Sequence, residues 1–64
     1  MPATWEIVKE DGYVKVKRDR ETICAAVAGL DGRVHDVTFI RAEFQKSNVV
    51  RQRAMRELQK AGYR

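Results

Sequence analysis

The sequence predicts an α+β fold, in which a small antiparallel sheet is covered by one C-terminal amphipathic helix. Two observations predict it. Two Asp-Gly dipeptides lie among runs of strand-like composition, and residues 47–62 carry apolar side chains at helical spacing. A chain of 64 residues is expected to form one domain, 1–64, and most of its 44% apolar residues are then needed for a single core.

The C-terminal helix is predicted over Ser47 to Gly62. Ser47 or Asn48 can cap its first N–H groups, and Gly62 can take the left-handed conformation that ends a helix. The predicted buried stripe, which Met55 borders, follows the spacing i, i+4, i+8 and i+11 and consists of Val50, Ala54, Leu58 and Ala61.

The first hairpin is predicted from two strand-like runs, 4–9 and 13–18, on either side of Asp11-Gly12. That dipeptide suits a two-residue type I′ turn, which needs positive φ at both central residues. The resulting register places Trp5 opposite Arg18. It also gives one mostly apolar face and one face with opposite charges across the strands, and both features favour this pairing.

The next run, 21–30, is compatible with two structures. Three alanines and Gly29 favour a short helix, whereas the β-branched residues and a second Asp-Gly, at 31–32, favour a strand that leads into the strand-like run 33–41. We prefer the strand, which gives a four-stranded meander with a tight turn at Asp19-Arg20. The alternative, with residues 20–29 helical, is ββαβα. Residues 42–46 are either a linker or an early turn of the last helix.

The preferred register assigns the two faces of the sheet. The face toward the helix is expected to hold Trp5, Ile7, Val14, Val16, Ile23, Val27 and Ile40. The opposite face is expected to hold Tyr13, Lys15, Lys17, Cys24, Ala26, Val37, Phe39 and Arg41. Aromatic rings among cations suit single-stranded nucleic acid. Two alternatives are a homodimer that buries Phe39, Val37 and Cys24, and a register slip of one residue beyond Arg18.

Charge is the main functional indication. Thirteen Lys and Arg against nine Asp and Glu give a net charge of +4 and a pI of about 9.6. Cations near a helix C-terminus oppose the helix dipole, but Lys46 and Arg51 lie at the unfavourable end. The helix therefore carries either an ordinary solvated face or an anion-binding face, formed by Lys46, Arg53, Arg56, Lys60 and Arg64.

The leading hypothesis is a small basic nucleic-acid-binding module that contacts phosphates mainly by charge. The candidate residues are Arg53, Arg56, Lys60 and Arg64 on the helix, and Lys15, Lys17, Arg41, Tyr13 and Phe39 on the sheet. The alternative is a protein-binding adaptor or inhibitor, of the phage-type or accessory kind, that docks through the open sheet face or an edge, with or without forming a homodimer.

Other classes are not favoured. Cys24 is expected to be a buried thiol, and His35 and Asp36 are expected to point to opposite faces of a strand, so we expect no enzyme. The single Cys and His give no metal-site spacing, and no cofactor is expected. The lack of a signal peptide or a membrane-spanning run predicts a cytoplasmic protein. No family motif is present: the chain lacks the Gly-Phe signature of the RNA-recognition motif and the ligands of zinc fingers.

Overall fold

The computed structural model describes residues 2–64, which form four strands followed by two helices. The strands make one antiparallel sheet in the order β1-β2-β3-β4. The elements are β1 (Trp5–Glu10), β2 (Tyr13–Arg18), β3 (Glu21–Ala28), β4 (Val34–Phe39), α1 (Ala42–Lys46) and α2 (Asn48–Lys60). The predicted four-stranded meander with a C-terminal helix is confirmed, and the ββαβα alternative is wrong.

The first pair of strands has the predicted register, with Trp5 opposite Arg18 and Glu10 opposite Tyr13. The turn between them differs from the prediction. Gly12 has a φ of +76°, but Asp11 is not among the residues with positive φ. Because a type I′ turn needs positive φ at both central residues, the turn here is of another type.

The turn with positive φ at both residues lies between β2 and β3, where no glycine is present. Asp19 has a φ of +49° and Arg20 a φ of +71°. Asp19 is held by Thr4: its N–H donates to the Thr4 carbonyl at 2.9 Å. Its carboxylate accepts the Thr4 N–H at 2.9 Å. Arg20 has no such contact, so its left-handed backbone is a local cost.

A β-bulge interrupts the pairing of β2 with β3. Lys17 lies opposite Thr22, but Val16 lies opposite Cys24, which leaves Ile23 as an extra residue on β3. The extra residue shifts the alternation of β3 by one position. Ile23 and Cys24 are consecutive, and both are fully buried. This is the register slip that the sequence left open as an alternative.

A second bulge lies between β3 and β4. Ala25 lies opposite Thr38 and Val27 lies opposite His35, so β4 has one extra residue in this interval. Asp36, with a φ of +53°, lies within it. The bulge keeps the apolar residues of β4 on one face despite their uneven spacing.

The two bulges correct the predicted faces of the last two strands. Cys24 and Ala26, expected on the open face, belong to the core, and Val37 and Phe39 pack against it. Val27 and Ile40, expected in the core, are 39% and 56% exposed. The central cluster consists of Val14, Val16, Cys24, Ala26, Ala54 and Leu58, with Trp5 and Ile7 packed against it as predicted.

The connection between β3 and β4 is longer than a two-residue turn. Asp31 and Gly32 lie inside the segment 29–33. The end of the chain pairs with this region, because the Arg64 N–H donates to the Gly32 carbonyl at 3.0 Å and the Val34 N–H donates to the Arg64 carbonyl at 2.7 Å. The C-terminus is thereby fixed to the start of β4.

Helix α2 begins and ends at the predicted residues. The Ser47 hydroxyl accepts the Val50 N–H at 3.3 Å. Gly62 has a φ of +96°, and the Tyr63 N–H donates back to the Leu58 carbonyl at 3.0 Å, which is the long-range bond of a Schellman ending. The extended backbone of Ser47 also separates α2 from α1, so residues 42–46 form a helix of their own.

The predicted buried stripe of α2 is partly confirmed. Ala54 and Leu58 are buried, Val50 is half-buried, and Ala61 is exposed. Short helix α1 adds a core residue that the sequence did not single out, Phe44, which is 5% exposed.

We expect Leu58→Ala to lower the free energy of unfolding by about 2 to 4 kcal/mol, because it leaves a cavity between α2 and the sheet. Chemical denaturation of both proteins measures this. Met55→Ala is the matched control: Met55 is 36% exposed, so its truncation should cost clearly less. Equal destabilisation by the two substitutions would contradict the packing described here.

Arg20→Gly is expected to stabilise the protein by about 0.5 to 1 kcal/mol, since glycine takes a positive φ without strain and part of this gain is offset by greater entropy of the unfolded chain. Arg33→Gly is the control, because Arg33 is an exposed loop residue without positive φ. It should be neutral or destabilising in the same thermal melts. A lower melting temperature for Arg20→Gly would argue against a strained turn.

Candidate functional site

Guanidinium groups and aromatic rings alternate at one end of the sheet. The Arg53 Cζ lies 5.4 Å from the centroid of the Trp5 ring. The Arg18 Cζ lies 5.8 Å from Trp5 and 5.5 Å from Phe44, and the Arg41 Cζ lies 5.7 Å from Phe44. These distances are in the range of cation–π attraction. We call these five residues the arginine–aromatic ladder.

The ladder follows from the fold. Trp5 and Arg18 are directly opposite each other on β1 and β2, so their side chains share one face of the sheet. Phe44 comes from α1, and Arg53 precedes the buried Ala54 on α2. The ladder therefore joins both helices to the first hairpin.

The three arginines of the ladder differ in their ion pairs. Arg41 contacts Glu21 at 2.9 Å and Glu43 at 3.1 Å. Arg53 contacts Glu57 at 3.0 Å. Arg18 is half-buried between two rings and makes no ion pair within the described chain. Its charge is therefore held in place by aromatic contacts and is not balanced by a carboxylate.

A surface groove of about 330 Å³ opens beside the Trp5 end of the ladder. We call it the Trp5 groove. It is lined by Trp5, Arg18, Val49, Val50, Gln52, Arg53 and Arg56. Three of these residues are arginines and none is acidic. Guanidinium groups bind phosphate and carboxylate oxygens through paired N–H donors, so the groove has the chemistry of an anion site.

The carboxylate of Glu57, which lies beside this surface, is covered by its neighbours. Glu57 accepts from Arg53 at 3.0 Å and from Lys60 at 3.4 Å, and its side chain is 14% exposed. Desolvation raises the pKa of Glu57, but the hydrogen bonds and charges of Arg53 and Lys60 outweigh this effect and hold the pKa below its ordinary value. Glu57 thus stays charged while the solvent-facing surface of α2 remains basic.

The structure brings some of the predicted helix residues together. Arg53 and Arg56 both line the Trp5 groove, and Arg56 makes no ion pair within residues 2–64. Lys60 is exposed on the same helix and shares Glu57 with Arg53. Arg64 lies beyond the helix end, where its backbone pairs with the start of β4.

The predicted sheet residues do not form one site. Lys15 is paired with Glu10 at 3.0 Å and lies over the Tyr13 ring, with its Nζ 5.6 Å from the ring centroid. The Tyr13 hydroxyl also donates to Glu10. The hydrogen bonds from Tyr13 and Lys15 lower the pKa of Glu10. Lys17 is half-buried, opposite Glu6.

The prediction that Phe39 lies on the open face with Tyr13 is wrong. Phe39 packs against the core on the helix side, so the sheet separates it from Tyr13. The expected pair of stacking rings does not exist. Arg41 belongs to the ladder, where its two ion pairs hold it near Phe44.

Sequence reasoning missed Arg18, Trp5 and Gln52 as site residues. The signal for the first two was present, since the correct first register already placed Trp5 and Arg18 side by side. The position of Gln52 in the groove and the shape of the groove depend on the angle at which α2 crosses the sheet. The periodicity of the sequence does not predict that angle.

The sequence predicts that neither Cys24 nor His35 is a reactive group. Burial raises the pKa of the Cys24 thiol to about 11, so it stays protonated and unreactive near neutral pH. The His35 Nδ1 lies 3.1 Å from the Asp36 Oδ2. The expectation that the side chains of His35 and Asp36 point apart is wrong, because the left-handed backbone of Asp36 interrupts the alternation of β4.

No family model, no curated protein and no solved structure matches this chain. Within residues 2–64, no helix is long and apolar enough to span a membrane. The same residues contain no group of three or more His, Cys, Asp and Glu side chains placed to hold a metal ion.

Proposed function

We propose that this protein is a small basic, cytoplasmic nucleic-acid-binding module without enzymatic activity, which contacts phosphates mainly by charge. The surface that we assign to this role is the Trp5 groove together with the solvent-facing side of α2. The observation that supports the proposal is the convergence of Arg18, Arg53 and Arg56 on one groove that has no acidic lining residue.

The pattern of ion pairs favours this surface over the sheet. On the open face of the sheet, Lys15 is neutralised by Glu10, and Lys17 is a single cation without an ion pair in the described chain. On the helix side, Arg18 and Arg56 make no ion pair in the described chain. A cation without a protein partner breaks no internal ion pair when it binds a phosphate, so it contributes more to association than a paired cation.

The net charge of +4 adds a long-range attraction to polyanions. Binding that depends on such charges releases counterions and weakens steeply as salt rises. Salt dependence is therefore the direct measure of the proposed contacts.

The combined replacement of Arg53, Arg56 and Lys60 with Gln should weaken binding to a mixed-sequence DNA duplex. The slope of log K against log salt should flatten by about 0.9 for each phosphate that the variant no longer neutralises. Fluorescence anisotropy over a salt series measures both quantities. Gln is a good helix former, so the melting temperature should change little apart from the effects of removing the ion pairs of Glu57 and the contact between Arg53 and the Trp5 ring.

A matched control removes three cations that do not line the Trp5 groove, by changing Lys9, Lys15 and Lys17 to Gln. Both triple variants lower the net charge from +4 to +1, so they differ in the position of the missing charges. The control should keep most of the salt slope. Equal flattening in both variants would show that net charge acts without a defined surface.

Glu57→Gln should strengthen duplex binding and steepen the salt slope. The change takes the net charge from +4 to +5 and releases Arg53 and Lys60 from their shared carboxylate. Glu43→Gln is the control, because it removes the same charge from the Arg41 end of the ladder. If both variants gain equally, the gain comes from net charge and not from the two released cations.

A protein-binding role, with or without a homodimer, is the second proposal. It is favoured by the open sheet face, where Val27 is 39% exposed beside half-buried Tyr13. Phe39, Val37 and Cys24 do not belong to that face, so its apolar area is smaller than the sequence indicated. A parent protein that binds neither duplex nor single strands at low salt would make this second proposal the better one.

A further inference from the structure

The aromatic residues of this chain indicate which form of nucleic acid fits the Trp5 groove. Proteins that bind single strands without sequence preference stack bases on exposed aromatic rings. The chain contains five aromatic residues, one Trp, two Tyr and two Phe. A preference for single strands would require at least one of them to offer a ring face to solvent.

The two rings of the ladder are already in contact with cations. Trp5 has the guanidinium groups of Arg18 and Arg53 over it, at 5.8 and 5.4 Å from its centroid. Phe44 is 5% exposed and contacts Arg18 and Arg41. A base that stacked on Trp5 would compete with these guanidinium groups, and Phe44 is too buried to stack with a base.

The other three rings are engaged as well. Tyr13 lies beneath Lys15, and its hydroxyl donates to Glu10. Phe39 and Tyr63 are partly buried and pack against the central cluster of the core. All five aromatic side chains therefore contact a cation or the core of the protein itself.

We infer, on the basis of the proposed function, that the Trp5 groove binds the phosphates of double-stranded nucleic acid in preference to single strands. A duplex carries one charge for about every 1.7 Å of its axis, which is denser than a single strand. Arg18 and Arg53 are held against the Trp5 ring, so they lose little side-chain entropy when they bind closely spaced phosphates. Because the rings are engaged in this way, they give a single strand little compensating stacking energy.

The expected preference follows from counterion release. With three phosphate contacts, from Arg18, Arg53 and Arg56, the salt slopes are about −2.7 for duplex and −2.1 for a single strand. If the two affinities are taken as equal at about 1 M salt, this difference in slope favours the duplex about sixfold at about 50 mM salt.

The test compares a DNA duplex with oligothymidine of the same length, which does not fold on itself. Fluorescence anisotropy with the parent protein should show the duplex bound about sixfold more tightly at about 50 mM salt. Oligothymidine binding that is equal or tighter would overturn the inference and leave the proposed function standing. Absence of binding to both ligands at low salt would overturn the two together.

Two variants separate phosphate contact from stacking. Arg56→Gln, which breaks no ion pair, should flatten the duplex salt slope by about 0.9. Tyr13→Leu removes an aromatic ring of the open face but keeps an apolar side chain there, and it should leave oligothymidine binding unchanged. A loss of about fivefold or more in that variant would mean that bases stack on Tyr13, and would overturn the inference. Melting temperatures establish that both variants are folded.

Discussion

The bulge between β2 and β3 is the constraint on which the rest of the structure depends. By placing Ile23 as an extra residue opposite the Val16–Lys17 step, it turns Cys24 and Ala26 toward the helices. Because β4 pairs with β3, its apolar residues follow the same face. A sheet of this size has no second apolar layer, so a shift of one residue decides whether the chain has a core for α2 to cover.

The elements could be predicted from the sequence, but the phase of the second hairpin could not. The two Asp-Gly dipeptides and the strand-like composition predicted the meander. The spacing of Val50, Ala54 and Leu58 predicted the helix. The bulges were hidden because Ile23 and Cys24 are both apolar, so a shift between them leaves the pattern of apolar and polar residues almost unchanged. The error passed directly to the candidate site, because it placed Phe39 on the open face.

The arginine–aromatic ladder links packing with charge. Trp5 packs against the central cluster while it contacts Arg18 and Arg53, and Phe44 is buried while it contacts Arg18 and Arg41. The same rings thus cover the edge of the core and position the cations. Such contacts are worth about 0.5 to 1 kcal/mol at exposed sites, which matters in a domain that buries little apolar surface.

Three guanidinium groups around one groove repel one another, and a small domain cannot absorb much repulsion. The negative face of the Trp5 ring and the covered carboxylate of Glu57 offset part of it, but neither contacts Arg56. Phosphates bound along the groove would offset the remainder, since they would place anions beside all three arginines. A base that stacked on one of these rings would have to compete with the cation already in contact with it. The contacts of Arg18 and Arg53 with the Trp5 ring therefore have two effects. They reduce the cost of placing these arginines in the fold, and they favour phosphates over bases as the ligand of the proposed module.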